Sequence, residues 1–115
     1  MVGSAARFSY SGDAGDLMAA SFYGDAVVQH HTYASGGNGL SEYFGPADRW
    51  STRIDGRACE SCNVYNMLKL TRLLFALRPD PFYADFQERA LFNHALSSMD
   101  PTNGDMSYMV PVGRG

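Results

Sequence analysis

Glu60-Ser61-Cys62-Asn63-Val64-Tyr65-Asn66-Met67-Leu68-Lys69-Leu70-Thr71-Arg72-Leu73-Leu74-Phe75-Ala76-Leu77, followed at once by Arg78-Pro79-Asp80-Pro81, decides the fold of this chain. Val64, Met67, Leu68, Thr71, Leu74 and Phe75 recur at i, i+3, i+4 and i+7, the spacing that gathers side chains on one face of an α-helix. Proline lacks the N–H a helix needs and clashes with the preceding turn, so the helix predicted over Glu60–Leu77 stops at Arg78-Pro79. Asp80 then offers an N-cap and Pro81 a first-turn residue with a preset φ. A second helix is predicted to run from there to about Met99, with Tyr83, Phe86, Ala90, Leu91, His94 and Ala95 on one face. So few residues join the two helices that they must pack antiparallel. The predicted fold class is mainly α, built of helical hairpins.

Upstream of this hairpin, Leu17, Met18, Phe22, Ala26 and Val27 lie near helical spacing, which predicts a helix from Asp16, as its N-cap, to about His31. Residues 1–15 are small, polar and Gly-rich and read as loop or frayed chain. Gly36-Gly37-Asn38-Gly39 breaks the helical pattern, and the span to Arg57, with Gly45, Pro46 and Gly56, reads as a long loop. Long ordered loops in compact domains usually carry function. Downstream, Asp100-Pro101-Thr102-Asn103-Gly104-Asp105 is turn chemistry, and the alternation from Met106 to Val112 predicts a short C-terminal strand. A lone strand leaves its ladder groups unpaired, so both ends read as cut: 1–15 a flexible or truncated segment, 16–115 part of one larger domain.

The 115 residues hold one small domain and are too few for two. With 45% hydrophobic and 18% charged residues, a packed core is expected. The formal charge of -3 and the dispersal of nine Lys and Arg leave no electrostatic footprint for phosphate backbones, which excludes nucleic acid as an expected partner. No apolar run approaches the ~20 residues that cross a bilayer. Met1–Arg7 lacks the basic flank and apolar block of a signal peptide, so no membrane association and a cytoplasmic location are expected. Cys59 and Cys62 lie too close together to staple distant parts of a fold, which favours a reducing compartment.

Glu60-x-Cys62 is the sharpest chemical signal. A carboxylate and a thiolate two residues apart are a hard and a soft metal ligand, and the unpaired N–H groups and dipole at a helix start favour the anionic form of both. The plainer reading makes Glu60 a cap and Cys62 a small buried hydrophobe. Cys59-Glu60-Ser61-Cys62 is also a C-x-x-C. A redox dithiol needs a preceding strand, which Ile54-Asp55-Gly56-Arg57 does not supply, and a structural zinc knuckle needs two further ligands, for which only His30 and His31 stand ready. Glu42, between Ser41 and Tyr43-Phe44, is an acid among aromatics, the setting in which a carboxyl is kept protonated to act as a general acid, or else an ordinary loop glutamate. His30 and His31 either complement the dipole of their helix or bind sugar hydroxyls. Glu88, beside Arg89, reads as a surface charge.

Taken in order, Val27 to Gly37, Ser41 to Gly45, Glu60 to Arg72, Tyr83 to Asp85 and Glu88 to His94 resemble glycoside hydrolase family 127, the β-L-arabinofuranosidase-like proteins. The resemblance covers roughly residues 16–112. It implies an (α/α)6 toroid of helical hairpins, of which this chain is a few central helices, and a retaining hydrolase acting on plant-derived L-arabinofuranosides. The nucleophile is a cysteine thiolate held on zinc by one Glu and three Cys. Carried over, Glu60 and Cys62 match two zinc ligands, Glu42 the general acid/base, and Glu88 and Tyr108 residues that contact the sugar. Three departures stand out: no cysteine follows Cys62, the helices expected before Asp16 are missing, and Cys59 is extra. The expected partner is a carbohydrate, and the oligomeric state is left open. Two other readings remain: a helical module that binds another protein through an exposed hairpin face, and a structural zinc protein using Cys59 and Cys62.

Overall fold

The computed structural model describes residues 1–113. The remaining two, which the sequence reading placed at the end of the partial domain, lie outside the described residues. Four α-helices follow in order: α1 (Val2–Ser11), α2 (Ala14–His30), α3 (Ser61–Leu77) and α4 (Pro81–Ala90). A π-helical turn, Leu91–Leu96, continues α4, and a short 3-10 turn, Trp50–Thr52, interrupts the long loop between α2 and α3. The core is the shared interior of the four helices: Ala5 of α1, Ala20, Val27 and Val28 of α2, Val64, Met67, Leu70 and Leu74 of α3, and Tyr83, Phe86 and Ala90 of α4. The mainly α class is what the sequence predicts.

The α3–α4 hairpin forms as its sequence requires. Asp80 caps α4 by accepting the Phe82 N–H at 3.0 Å, Pro81 occupies the first turn, and the Arg78 N–H closes α3 onto Leu74. The buried residues of α3 are Val64, Met67, Leu70, Thr71 and Leu74, with Phe75 at the edge of the face. The second helix departs from prediction beyond Ala90, where the backbone widens into the π turn. His94, four residues after the buried Ala90, stays buried there, while Leu91 comes to the surface.

Residues 1–15 are not a loop. Ten of them form α1, closed by Gly12 in the left-handed conformation at φ 70°, with its N–H on Phe8 O. The helix is fixed by tertiary contacts that local composition does not reveal: Ala5 is completely buried, and the Arg7 guanidinium pairs with the Asp16 carboxylate. Asp16 is therefore not the cap of α2. Asp13 is, accepting the Gly15 N–H at 2.8 Å, and Asp16 sits one turn inside with only 5% of its surface exposed. The pairing with Arg7 keeps Asp16 below the usual carboxylate range. The inner face of α2 is only partly the one the apolar spacing suggested: Val27 is buried and Leu17 packs against the core, but Ala20 and Gly24 take the rest of the face, whereas Met18 and Phe22 are 71% and 76% exposed. Small residues win that face because α3 comes close; a Cβ on Gly24 would stand 2.8 Å from a Leu74 methyl carbon.

The predicted turn at 100–105 is present, with the Asp100 N–H on Asp105 O at 2.8 Å. The segment after it is extended but makes single bridges in place of a strand, Met106 with Met99 and Met109 with Glu60. Through the bonds from Ser61 N–H to Tyr108 O and from Val110 N–H to Cys59 O, it lies along the start of α3. No described helix is long and apolar enough to cross a membrane.

Candidate active site

The site is built where the long loop returns to the mouth of α3. Gly36 and Gly37 let the loop press against α4 and the chain before α3: a Cβ on Gly36 would be 2.5 Å from the Ala90 backbone, and one on Gly37 2.5 Å from Cys59 Sγ. Beyond them, Leu40 and Tyr43 bond each other's backbone at 2.9 and 3.1 Å, closing a two-residue turn whose central residues are Ser41 and Glu42. Both have positive φ, 48° and 72°, a conformation suited to glycine that costs roughly 1–3 kcal/mol per residue and gathers at functional sites. Arg53 holds the turn from outside, its guanidinium donating to Leu40 O at 3.3 Å and Tyr43 O at 2.6 Å.

The turn delivers Glu42 to a cavity of about 260 Å³ that Glu60 and Cys62 also line, together with Asn38, Arg57 and Asn63. Glu60 occupies the N-cap position of α3 but makes no side-chain capping bond, and its carboxylate stands by the Tyr108 hydroxyl instead. Cys62 is exposed, not packed in the core. Both plainer readings of Glu60-x-Cys62 are thereby displaced. Glu42 is exposed as well, so the aromatic burial expected around it is not supplied by the described residues. Tyr108 reaches the same helix mouth from the C-terminal segment; its hydroxyl is pushed up to about 12, first by its hydrogen bond to Cys62, then by desolvation and the charges of Cys62 and Glu60.

The other expected site residues are dispersed. His30 pairs with the Asp48 carboxylate at 3.0 Å on the surface. His31 packs its ring on Phe44, 5.3 Å between centroids, and burial holds it below the usual histidine range, with a smaller push from His30. Phe44 itself lines the cavity, so His31 backs the site without opening into it. Glu88 is on the exposed face of α4, in a separate cleft with Asp85, Arg89 and Asn93. Cys59 is buried under Gly37, and burial raises its thiol to about 11 against a weaker opposing hydrogen bond from Ser35, which makes it a poor metal partner for the open Cys62. Asn38, Asn63 and Arg57 were not singled out from the sequence; the available signal was an asparagine in the first turn of α3, directly after Cys62.

An oxygen and a sulfur donor at one helix mouth fit half of a tetrahedral zinc site in kind. Among the described residues no group of three or more His, Cys, Asp or Glu side chains gathers, so residues 1–113 offer no complete set of ligands.

The helical hairpins present a loop carboxylate and a helix-mouth thiol to one cavity. The chain matches the family model described as beta-L-arabinofuranosidase, GH127 catalytic domain, over residues 1–115, and belongs to that family of glycoside hydrolases. It is similar to the crystal structure of Ara127N-Se, a GH127 beta-L-arabinofuranosidase from Geobacillus stearothermophilus T6, with a TM-score of 0.78 and 28% sequence identity over 96% of the chain. The chain spans 18% of the length of that protein. Curated protein sequences give no match.

Proposed function

We propose that this segment supplies the general acid/base and half of a zinc site to a retaining glycoside hydrolase that releases L-arabinofuranose or a related sugar from plant-derived glycans. The observation that carries the reading is the convergence of Glu42, Glu60 and Cys62 on one cavity. Glu60 and Cys62 would hold zinc with two ligands from outside residues 1–113, and zinc bound there favours the thiolate form of a cysteine. The attacking cysteine belongs to polypeptide beyond the described residues. Glu42 gives its proton to the departing glycosidic oxygen as the anomeric C–O bond breaks, then takes a proton from the water that completes hydrolysis. Arg57 offers hydrogen-bond donors to sugar hydroxyls around it.

In the full-length protein, zinc content with and without Cys62→Ser tests the metal half, and hydrolysis of aryl β-L-arabinofuranosides tests the activity. Lower zinc in Cys62→Ser and turnover by the wild type are expected. A wild type that binds no zinc and cleaves no arabinofuranoside overturns the reading.

A further inference from the structure

Glu42 acts only if its carboxyl stands within hydrogen-bond reach of the departing oxygen, yet it rides on a strained two-residue turn in a 30-residue connection. Besides the Arg53 guanidinium, three ties fix that turn to the rest of the site. The Ser41 N–H donates to Arg57 O at 3.2 Å, the Cys59 N–H donates to Gly39 O at 3.1 Å, and Asn63 Nδ2 donates to Asn38 Oδ1. The first two end on residues that precede α3. Among the described residues, the amide bridge alone links the segment 38–43 by a hydrogen bond to the helix itself, on the residue next to Cys62. Asn38 is completely buried, and its Nδ2 has no partner. A buried amide with an idle donor is costly where a hydrophobic side chain would serve packing equally well, so its polar end has a purpose other than packing.

We propose that the Asn38–Asn63 bridge is the positioning device for the acid/base: it sets the separation of Glu42 from the Glu60–Cys62 mouth of α3. The inference rests on the reading of Glu42 given above. Neither asparagine transfers a proton. Breaking the bridge lets the turn drift, so proton delivery fails while the nucleophile and metal ligands stay in place. The defect must then follow the leaving group. A 4-nitrophenolate departs as a stable anion and needs no proton, whereas methanol has to receive one from Glu42 as its C–O bond breaks.

The experiment compares kcat/KM for the 4-nitrophenyl and methyl L-arabinofuranosides on single preparations of the full-length wild type, Asn63→Ala, Asn38→Ala and Asn63→Asp. Because both substrates are measured on one preparation, their ratio does not depend on the fraction folded. Asn63→Ala should lower kcat/KM, which reports the bond-breaking step, ~100-fold on the methyl glycoside and less than ~5-fold on the 4-nitrophenyl glycoside, with zinc content unchanged, since a misplaced group costs the step it serves. Asn38→Ala should do the same. Asn63→Asp should recover most of the methyl-glycoside rate, because Asn38 can turn its amide and give its idle Nδ2 to the new carboxylate, which the N-terminus of α3 also favours. A wild type that cleaves both substrates, paired with Asn63→Ala losing kcat/KM equally on both or on neither, overturns the inference and leaves the proposed function standing. A wild type that cleaves neither overturns the proposed function.

Discussion

The two ends of the α3–α4 hairpin are made by different rules. At the Arg78–Asp80 end every feature is local: a proline that stops one helix, an aspartate that caps the next, a proline in its first turn. At the other end little is local. Ser41, Glu42 and Cys59 hold positive φ, α4 dissolves into a π turn, His94 is buried with neither ring nitrogen paired, and a separate C-terminal segment is stitched across the start of α3. The plain end only has to be stable. The strained end brings an acid, a carboxylate and a thiol to one cavity, and it depends on packing to hold conformations the chain would not choose alone.

The comparison is broken most sharply at Glu42. Glu42→Gln keeps the shape of the turn and removes the proton, so hydrolysis of unactivated arabinofuranosides should fall ~10²–10⁴-fold with the melting temperature unchanged; equal loss of stability and rate would mean the residue only shapes the loop. Gly37→Ala comes next. Its new methyl would meet Cys59 Sγ at 2.5 Å and the His94 ring at 2.9 Å, so overpacking should cost roughly 1–3 kcal/mol in denaturant unfolding and also depress activity by moving the loop. At the plain end, Asp80→Ala should cost about 1 kcal/mol of stability through the lost cap and leave kcat and its leaving-group dependence alone.

The smallest effect concerns pH. Burial holds His94 below its ordinary value of 6.5, so in acid the unfolded chain takes up a proton that the folded chain refuses. Stability present above pH 6.5 is therefore lost as pH falls through 6.5 toward the lower folded value. Urea midpoints at pH 7.5 and 5.5 should draw closer together in His94→Gln than in the wild type; an unaltered interval would show that the buried imidazole does not contribute.

The candidate site was legible only in part. Glu60 and Cys62 stand out as a hard and a soft metal ligand two residues apart, and Glu42 as an acid between aromatics, and all three line the cavity. His30 and His31 follow one another in sequence, but the end of α2 sends one to Asp48 and the other against Phe44. Glu88 lies on the outer face of α4, in a cleft apart from Glu42. Asn38 and Asn63 were invisible, since nothing in a single sequence says that two amides 25 residues apart will meet.

By itself the sequence determined the hairpin: periodicity, a cap and two prolines act over one or two turns and need no partner to be read. It determined, too, which residue types could do the chemistry. Tertiary structure decided the rest. Helix α1 exists because Ala5 and Arg7 find partners in its neighbours, and the inner face of α2 is set by how near α3 approaches. The turn that carries Glu42 takes its shape from Arg53, Gly39 and Asn63. Contacts between residues far apart in the chain leave no local pattern, and those contacts hold the strained backbone of the turn that carries Glu42.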